Sequence, residues 1–317
     1  MKVFHATDSV EIACPTVLTL GVFDGLHIGH QLIMKTVVER ARAAGAAPTV
    51  ITFEPHPRAV LHPESAPPLL QTFDQKIEAL GVLGIEQTIV IHFDKAFSQV
   101  RAEDFLRQIV VDRLQAKEIY LGRGFAFGHN REGHIDLLRR VSKELEFLAD
   151  EVPEVQIRGE RVSSSRIREL ILQGRMNLAR RMLGRPYGVQ GSVVRGDARG
   201  QGLGFPTANI DPQNRVIPCR GVYVSAILID KQWRQSVTNV GVRPTFGDTA
   251  QSSIETHVLD WSDDLYGRTV RVRFLHRLRD EQKFSSIDEL KSQIERDVAR
   301  AEDYLTHVGV KRSLTIV

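Results

Sequence analysis

An apolar run, TVLTLGV (residues 16–22), leads into GVFDGLHIGH (21–30) and then into a stretch with helical spacing, GHQLIMKTVVERARAAG (29–45). Few folds accommodate a buried strand, a glycine-punctuated turn and a helix in such quick succession. Gly21, Gly25 and Gly29 let backbone come close to a ligand. The helix that follows offers unpaired N–H groups and the positive end of its dipole, which together suit a phosphate. His27 and His30 are three residues apart, so in a first helical turn both rings project the same way. Two imidazoles beside a bound phosphate can donate hydrogen bonds to a phosphoryl group in transfer. A lone histidine here would read as an ordinary polar residue at a helix start. The strand, the glycines, the paired histidines and the helix coincide, and the combination points to phosphate chemistry.

The pattern around this segment alternates. Strands are expected at 16–22, 48–53, 87–93 and 116–122. Helices are expected at 29–45, near 73–83, at 102–114 and at 134–152. Leu32, Ile33, Val37, Val38 and Ala41 share one face of the first helix. Strands alternating with helices imply βαβ units and a parallel sheet. The proline-rich stretch EPHPRAVLHPESAPP (54–68) is expected to be a loop.

The pattern changes near residue 184. The segments from GRPYGVQGSVVRG to RTVRVRFLH are short, β-rich and separated by Gly, Pro, Asn and Asp, as in an antiparallel sheet or small barrel. SSIDELKSQIERDVARAEDYL (285–305) then reads as one amphipathic helix, with Ser285 or Ser286 as N-cap. The 317 residues therefore divide into domains 1–183 and 184–317.

A second segment matches the first in chemistry. VSSSRIREL (162–170) places Ser163, Ser164, Arg166 and Arg168 at the start of a helical pattern. Hydroxyls, helix N–H groups and guanidinium together suit a polyphosphate. In the other half, PTAN places Thr207 and Asn209 two apart, so that a hydroxyl and an amide oxygen can face one Mg²⁺, a cation that takes oxygen ligands. The glycine-rich stretch before it, GSVVRGDARGQGLG (191–204), includes Gly196 and Gly200 and is expected to wrap a nucleotide's phosphates.

The paired-histidine segment followed by SSSRIR resembles the HxGH nucleotidyltransferase superfamily. With TFEPHPR (52–58) and LGRGFAFG (121–128) it resembles, more narrowly, the FMN adenylyltransferase module of prokaryotic FAD synthetase. That resemblance implies transfer of AMP from ATP to FMN, giving FAD and pyrophosphate. It implies that His27 and His30 act on the α-phosphate, and that Gly21, Phe23, Asp24 and Gly25 shape the ATP loop. Ser163, Ser164 and Arg168 would hold the outgoing pyrophosphate, and His56 and Phe125 would lie on the flavin side. The family usually has Asp or Asn where this chain has Gly124, and Thr where it has Ser165.

PTAN, GVYV (221–224), TNVGVRPTF (238–246), SIETHVLDWSDDLYG (253–267) and RDEQKF (279–284) are similar, in order, to bacterial riboflavin kinase. This implies a six-stranded β-barrel with a terminal helix, which phosphorylates riboflavin with ATP. It also implies that Glu255 is the general base and that Thr207 and Asn209 hold Mg²⁺. Together the two resemblances cover nearly the whole chain and point to the bifunctional prokaryotic FAD synthetase family.

Composition excludes other classes. Residues 1–183 carry 23 Lys and Arg against 23 Asp and Glu, and 184–317 carry 19 against 16. This is too even for a nucleic-acid-binding element. The two cysteines, Cys14 and Cys219, suggest neither a disulfide framework nor a zinc site. With no apolar signal region and no membrane-length run, a cytoplasmic location is expected, with small-molecule partners and neither nucleic acid nor membrane. Class I aminoacyl-tRNA synthetases share HIGH but need a lysine-rich late loop, which SSSRIR is not. A flavin- or nucleotide-sensing regulator with an inactive transferase module is the remaining alternative.

Overall fold

The computed structural model describes residues 1–5, 14–196, 202, 204–243 and 251–308. They form two compact units, residues 1–68 with 73–162, and residues 69–72 with 163 onward.

The first unit is an α/β sheet domain. In chain order it contains β1 (Lys2–His5), β2 (Thr16–Leu20), α1 (Ile28–Ala44), β3 (Ala47–Glu54), α2 (Pro57–Leu61), α3 (Phe73–Val82) and β4 (Gln87–His92). Then come α4 (Ala102–Phe105), which continues as a wider helix over Leu106–Val111, β5 (Ala116–Gly122), α5 (Ile135–Glu144), β6 (Leu148–Val152) and a small hairpin, β7 (Gln156–Ile157) with β8 (Glu160–Arg161). Six strands pair in parallel, in the order β1-β4-β3-β2-β5-β6. β2 is buried throughout and β3 nearly so, as expected where helices cover both faces. α1 buries Ile33, Met34, Val37 and Ala41. It ends at Gly45, which is left-handed (φ 57°) and donates its N–H to the carbonyls of Ala41 and Arg42.

Three features differ from the sequence reading. The stretch 54–68, expected to be a loop, contains the short helix α2, with proline at its first position, and a 3-10 turn over Pro63–Ser65. β1 was not expected. The helix expected over 134–152 stops at Glu144, and residues 148–152 form the edge strand β6 instead. Glu146 turns the chain with a positive φ of 56°, Phe147 is buried, and β6 pairs with β5 from Leu148 to Val152. Strand pairing on an open sheet edge outweighs a helical spacing of apolar residues that has no core left to face.

The second unit contains α6 (Ser164–Leu172), α7 (Met176–Leu183), β9 (Tyr187–Val194), β10 (Ala208–Pro212), β11 (Gly221–Ile229), β12 (Gln232–Arg243), β13 (Gln251–Val258), β14 (Thr269–Arg279) and α8 (Ile287–Val308). The six strands close into an antiparallel barrel in the order β10-β13-β12-β11-β14-β9. Closure leaves no strand edge exposed. One face of β11 sends Tyr223, Ser225 and Ile227 inward, all fully buried. Ser225 shares hydrogen bonds with Ser236 (2.8 Å) and Thr238 (2.7 Å), and Thr238 with Thr256 (2.9 Å), so the buried hydroxyls satisfy one another. The other face, with Val222, Val224 and Ala226, packs with Ala301 and Leu305 of α8. Arg279 grips the buried Asp297 at 2.7 Å and ties α8 to β14. Ser286 Oγ accepts the Glu289 N–H (3.2 Å), while Ser285 donates its N–H and hydroxyl to the Glu289 carboxylate, a reciprocal capping arrangement. Among the described residues, no helix is long and apolar enough to cross a membrane.

Candidate active sites

The strand order of the first unit reverses between β2 and β5. In open α/β sheets that point, at the carboxyl ends of the strands, is where ligands bind. The 21–27 loop leaves β2 there and the 123–131 loop leaves β5. Gly21 donates its N–H to the Ile51 carbonyl of β3 at 3.0 Å. The turn then places Phe23 (φ 53°), Gly25 (φ 81°) and Leu26 (φ 38°) in left-handed conformations. Two of these are not glycine, and backbone of this kind concentrates at functional loops. A Cβ on Gly21 would meet the Phe23 ring at 2.9 Å, so the absence of a side chain is what lets that ring fold back over the loop.

His27 is the N-cap of α1. Its Nδ1 accepts the His30 N–H at 3.3 Å, which leaves Nε2 as the nitrogen that carries the proton in the neutral ring. The His27 and His30 rings stack at 3.6 Å and 18°, and Phe23 presents its edge to His30 at 5.2 Å. Asp24 and His27 are 8% and 7% exposed. Two imidazoles and the first turn of a 17-residue helix thus point at one small region.

Beside it lies a cavity of about 880 Å³ in the same unit, large enough for a drug-sized ligand. Val22, Phe53, Phe93, Phe97, Phe125 and Phe127 form its apolar walls, and His56, Arg58, His62, His129 and Arg131 also line it. Phe93 stands edge-on to Phe53 (5.9 Å) and to Phe97 (5.8 Å), while Phe125 and Phe127 stack at 17°. His56 caps α2 through Nδ1, which accepts the Arg58 N–H at 3.0 Å. The structure thus brings His56 and Phe125 into one cavity wall. Sequence reasoning missed Phe93, Phe97, Arg58, His62, His129 and Arg131; the aromatic pair in FDKAF just after β4 was the available signal.

Gly124 lies in the second loop at φ 73°, with open space where a Cβ would stand, and donates its N–H to Glu151 (3.2 Å). Asparagine tolerates this conformation best among residues with side chains. Gly124→Asn is therefore expected to keep the fold, with stability changed by no more than about 1 kcal/mol, as thermal unfolding checks.

A buried lysine was also missed. Lys76 on α3 is 7% exposed and donates to the Thr52 hydroxyl at 3.2 Å. Burial pulls its pKa below the ordinary lysine value, and the charges of Glu54 and Asp24 oppose that shift.

The SSSRIR segment opens α6 in the second unit. Ser163 Oγ caps the helix by accepting the Arg166 N–H at 3.2 Å and keeps its own proton to donate. Ser164 is the first helical residue, and Arg168 lies one turn on.

The barrel carries the second constellation. β10 pairs Asn209 with Glu255 of β13, and β12 pairs Asn239 with the same Glu255. Residues directly opposite in a ladder share a face, so Asn239, Glu255 and Asn209 form one row on the outer surface of the barrel. Asn239 was not singled out from the sequence. Thr207 and Asn209 both line a cavity of about 250 Å³, with Pro206, Trp261, Asp264 and Tyr266. Glu255 is not among the residues that line it, but stands in register beside Asn209. A Cβ on Gly196 would lie 2.2 Å from the Asn209 amide nitrogen, so the glycine lets the loop rest against that amide. Gly200, with Arg199 and Gln201, lies outside the described residues.

Comparison with known proteins places both parts of the chain in known families. The family model for FAD synthetase matches residues 9–166, and that for riboflavin kinase matches residues 183–305. A bifunctional riboflavin kinase/FMN adenylyltransferase of Pseudomonas fluorescens is 38% identical over 285 residues, covering 90% of this chain and 91% of the relative. The protein of the same name from Escherichia coli K12 is 35% identical over 289 residues, 91% of this chain and 92% of its own. A crystal structure described as a macrolide-efflux protein from Streptococcus pneumoniae superposes with a TM-score of 0.87 at 30% identity, over 95% of this chain and 98% of that one. The chain belongs to the bifunctional riboflavin kinase/FMN adenylyltransferase family.

Proposed function

We propose that the family's two reactions run at the two constellations just described, with residues 1–183 serving adenylyl transfer and 184–317 serving phosphorylation. The chain is an enzyme of flavin cofactor biosynthesis: it phosphorylates riboflavin with ATP to FMN and adenylylates FMN with ATP to FAD.

For adenylyl transfer, a phosphate oxygen of FMN attacks the α-phosphorus of ATP and pyrophosphate leaves. No proton has to move, so the protein's task is positioning and charge stabilisation. His27 Nε2 and the His30 ring donate toward the α-phosphate oxygens, where negative charge builds. Gly21, Phe23, Asp24 and Gly25 shape the loop, and at the start of α6 Ser163, Ser164 and Arg168 offer hydroxyls and a guanidinium that suit a pyrophosphate. The aromatic cavity takes the isoalloxazine, with His56 and Phe125 in its wall. The observation that carries this reading is the stacked histidine pair at a helix N-terminus beside an aromatic cavity, all at the sheet's switch point.

For phosphorylation, the riboflavin 5′-hydroxyl attacks the γ-phosphorus of ATP and ADP leaves. Glu255 takes the hydroxyl proton, the role its residue type and its neighbours Asn209 and Asn239 suit. Thr207 and Asn209 would hold Mg²⁺. Both are oxygen donors on one cavity wall, and two neutral oxygens suit a cation that keeps most of its shell as water and substrate phosphate. The ion would neutralise charge on the ATP phosphates. Gly196 and Gly200 serve the same phosphates. Gly196→Ala is expected to push the Asn209 amide aside, lowering riboflavin phosphorylation about a hundredfold, with FMN-to-FAD conversion unchanged; rates for the two steps, measured separately, check this.

ATP as co-substrate, free Cys14 and Cys219, and an even charge balance favour a cytoplasmic enzyme acting on small molecules, without nucleic acid or membrane. The direct test of function is a product assay. Riboflavin, ATP and Mg²⁺ should yield FMN and then FAD, and no FAD from FMN and ATP would sink the adenylyl-transfer assignment.

A further inference from the structure

α3 buries three residues, Lys76, Ala79 and Leu80, and only the first is charged. The burial of a lysine there is not explained by stability. An apolar side chain of similar length would pack without losing hydration, and replacing buried ionic groups by apolar ones is often neutral or stabilising. The ammonium has three protons to give and accepts none, so its neighbours must be acceptors or anions.

Its neighbours lead to the 21–27 loop. Lys76 Nζ donates to Thr52 Oγ1 at 3.2 Å, and Thr52 Oγ1 donates to the Val22 carbonyl at 3.4 Å. Thr52 is fully buried on β3 and has a single proton. The lysine, by occupying a lone pair of that hydroxyl, leaves the proton directed at Val22. Val22 immediately precedes the left-handed Phe23, whose ring meets His30. The charges of Asp24, in the same loop, and of Glu54, at the end of β3, both act on Lys76, and the Phe73 ring lies 5.5 Å from Nζ. Asp24 is 8% exposed, so the loop carries a nearly buried carboxylate close to where ATP phosphates must sit. A cation behind the loop adds to what offsets that carboxylate's charge beside the phosphates.

We infer that Lys76 is a positioning residue for adenylyl transfer, holding the 21–27 loop in its phosphate-binding shape through the Thr52 hydroxyl and the Asp24 charge. This rests on the assignment of AMP transfer to the His27/His30 site. Lys76 acts on the loop and does not itself touch the reacting atoms.

The test measures both reactions on the same full-length preparations. Lys76→Met should lower kcat for FMN adenylylation about a hundredfold, the scale of a small displacement of catalytic groups. KM for FMN and the rate of riboflavin phosphorylation should stay near wild type. A Lys76→Met enzyme that melts at a lower temperature yet keeps its kcat would overturn the inference, since that is what a merely structural lysine does. Should Lys76→Met fail to fold, a second pair decides. Thr52→Ser keeps the relay hydroxyl and should retain adenylyl transfer, whereas Thr52→Val removes it and should lose most of it; equal activities of the two overturn the inference. If wild type makes FMN but no FAD, the site assignment itself falls, and the inference with it.

Discussion

Glu255→Gln is expected to stop conversion of riboflavin to FMN and to leave conversion of FMN to FAD at its wild-type rate. The ribityl hydroxyl is a poor nucleophile until its proton is taken, and a positioned base contributes about 10²–10⁴-fold. Glutamine has the same shape but accepts no proton at neutral pH. Glu255 is half-buried in mid-strand, in register with Asn209 on one side and Asn239 on the other. An amide can take that place without disturbing the ladder, so the barrel should fold as before. Chromatography of the two half-reactions reads the result. If both steps fell together, the assignment of the kinase chemistry to this row would be wrong.

The mirror image is expected at the other site. His27→Asn keeps an N-cap acceptor for α1, since asparagine is among the best N-cap residues. It removes the imidazole that stacks on His30 and the proton on Nε2. Loss of one donor to a developing negative charge costs about 10²–10³-fold in kcat. Adenylylation of FMN should fall by that factor with riboflavin phosphorylation unchanged, so the variant supplied with riboflavin and ATP should accumulate FMN. Accumulation of FAD at the wild-type rate would show that His27 caps a helix and does nothing more. Each of the two variants should sharply slow one step and spare the other, which a chain with a single ATP site cannot reproduce.

How much of this was legible in the sequence follows from the range of the interactions involved. The HxGH unit is local. Strand, turn and helix succeed one another within about thirty residues, and i,i+3 spacing alone sets the two rings side by side. The barrel was legible from short β-rich segments and turn residues; Glu255 was singled out through the resemblance of SIETHV to bacterial riboflavin kinase, while its register with Asn209 and Asn239 was not legible.

Edge strand β6 was not legible. LEFLADEV continues the apolar spacing of α5, and the break is made by Glu146 in a conformation that glycine usually marks. Only the open edge beside β5 decides the matter. The aromatic cavity was half legible. Phe125 and His56 sat in recognisable segments, but Phe93 and Phe97 reach the same wall because the strand order places the end of β4 beside that of β3. Lys76 looks like any helix charge; its burial is a product of tertiary packing against β3. Gly124 read as a lost polar group, and in the fold it is a left-handed turn residue whose N–H is taken up by Glu151.

One time course bears most directly on the claim that two ATP-dependent reactions share this chain. Purified protein is incubated with riboflavin, ATP and Mg²⁺, and the flavins are separated by chromatography. FMN should rise first and FAD should follow at its expense, with FMN and ATP alone also giving FAD. FMN that accumulates without ever becoming FAD, or riboflavin that stays unchanged while added FMN is adenylylated, would leave the chain with one of the two activities and refute the two-site description.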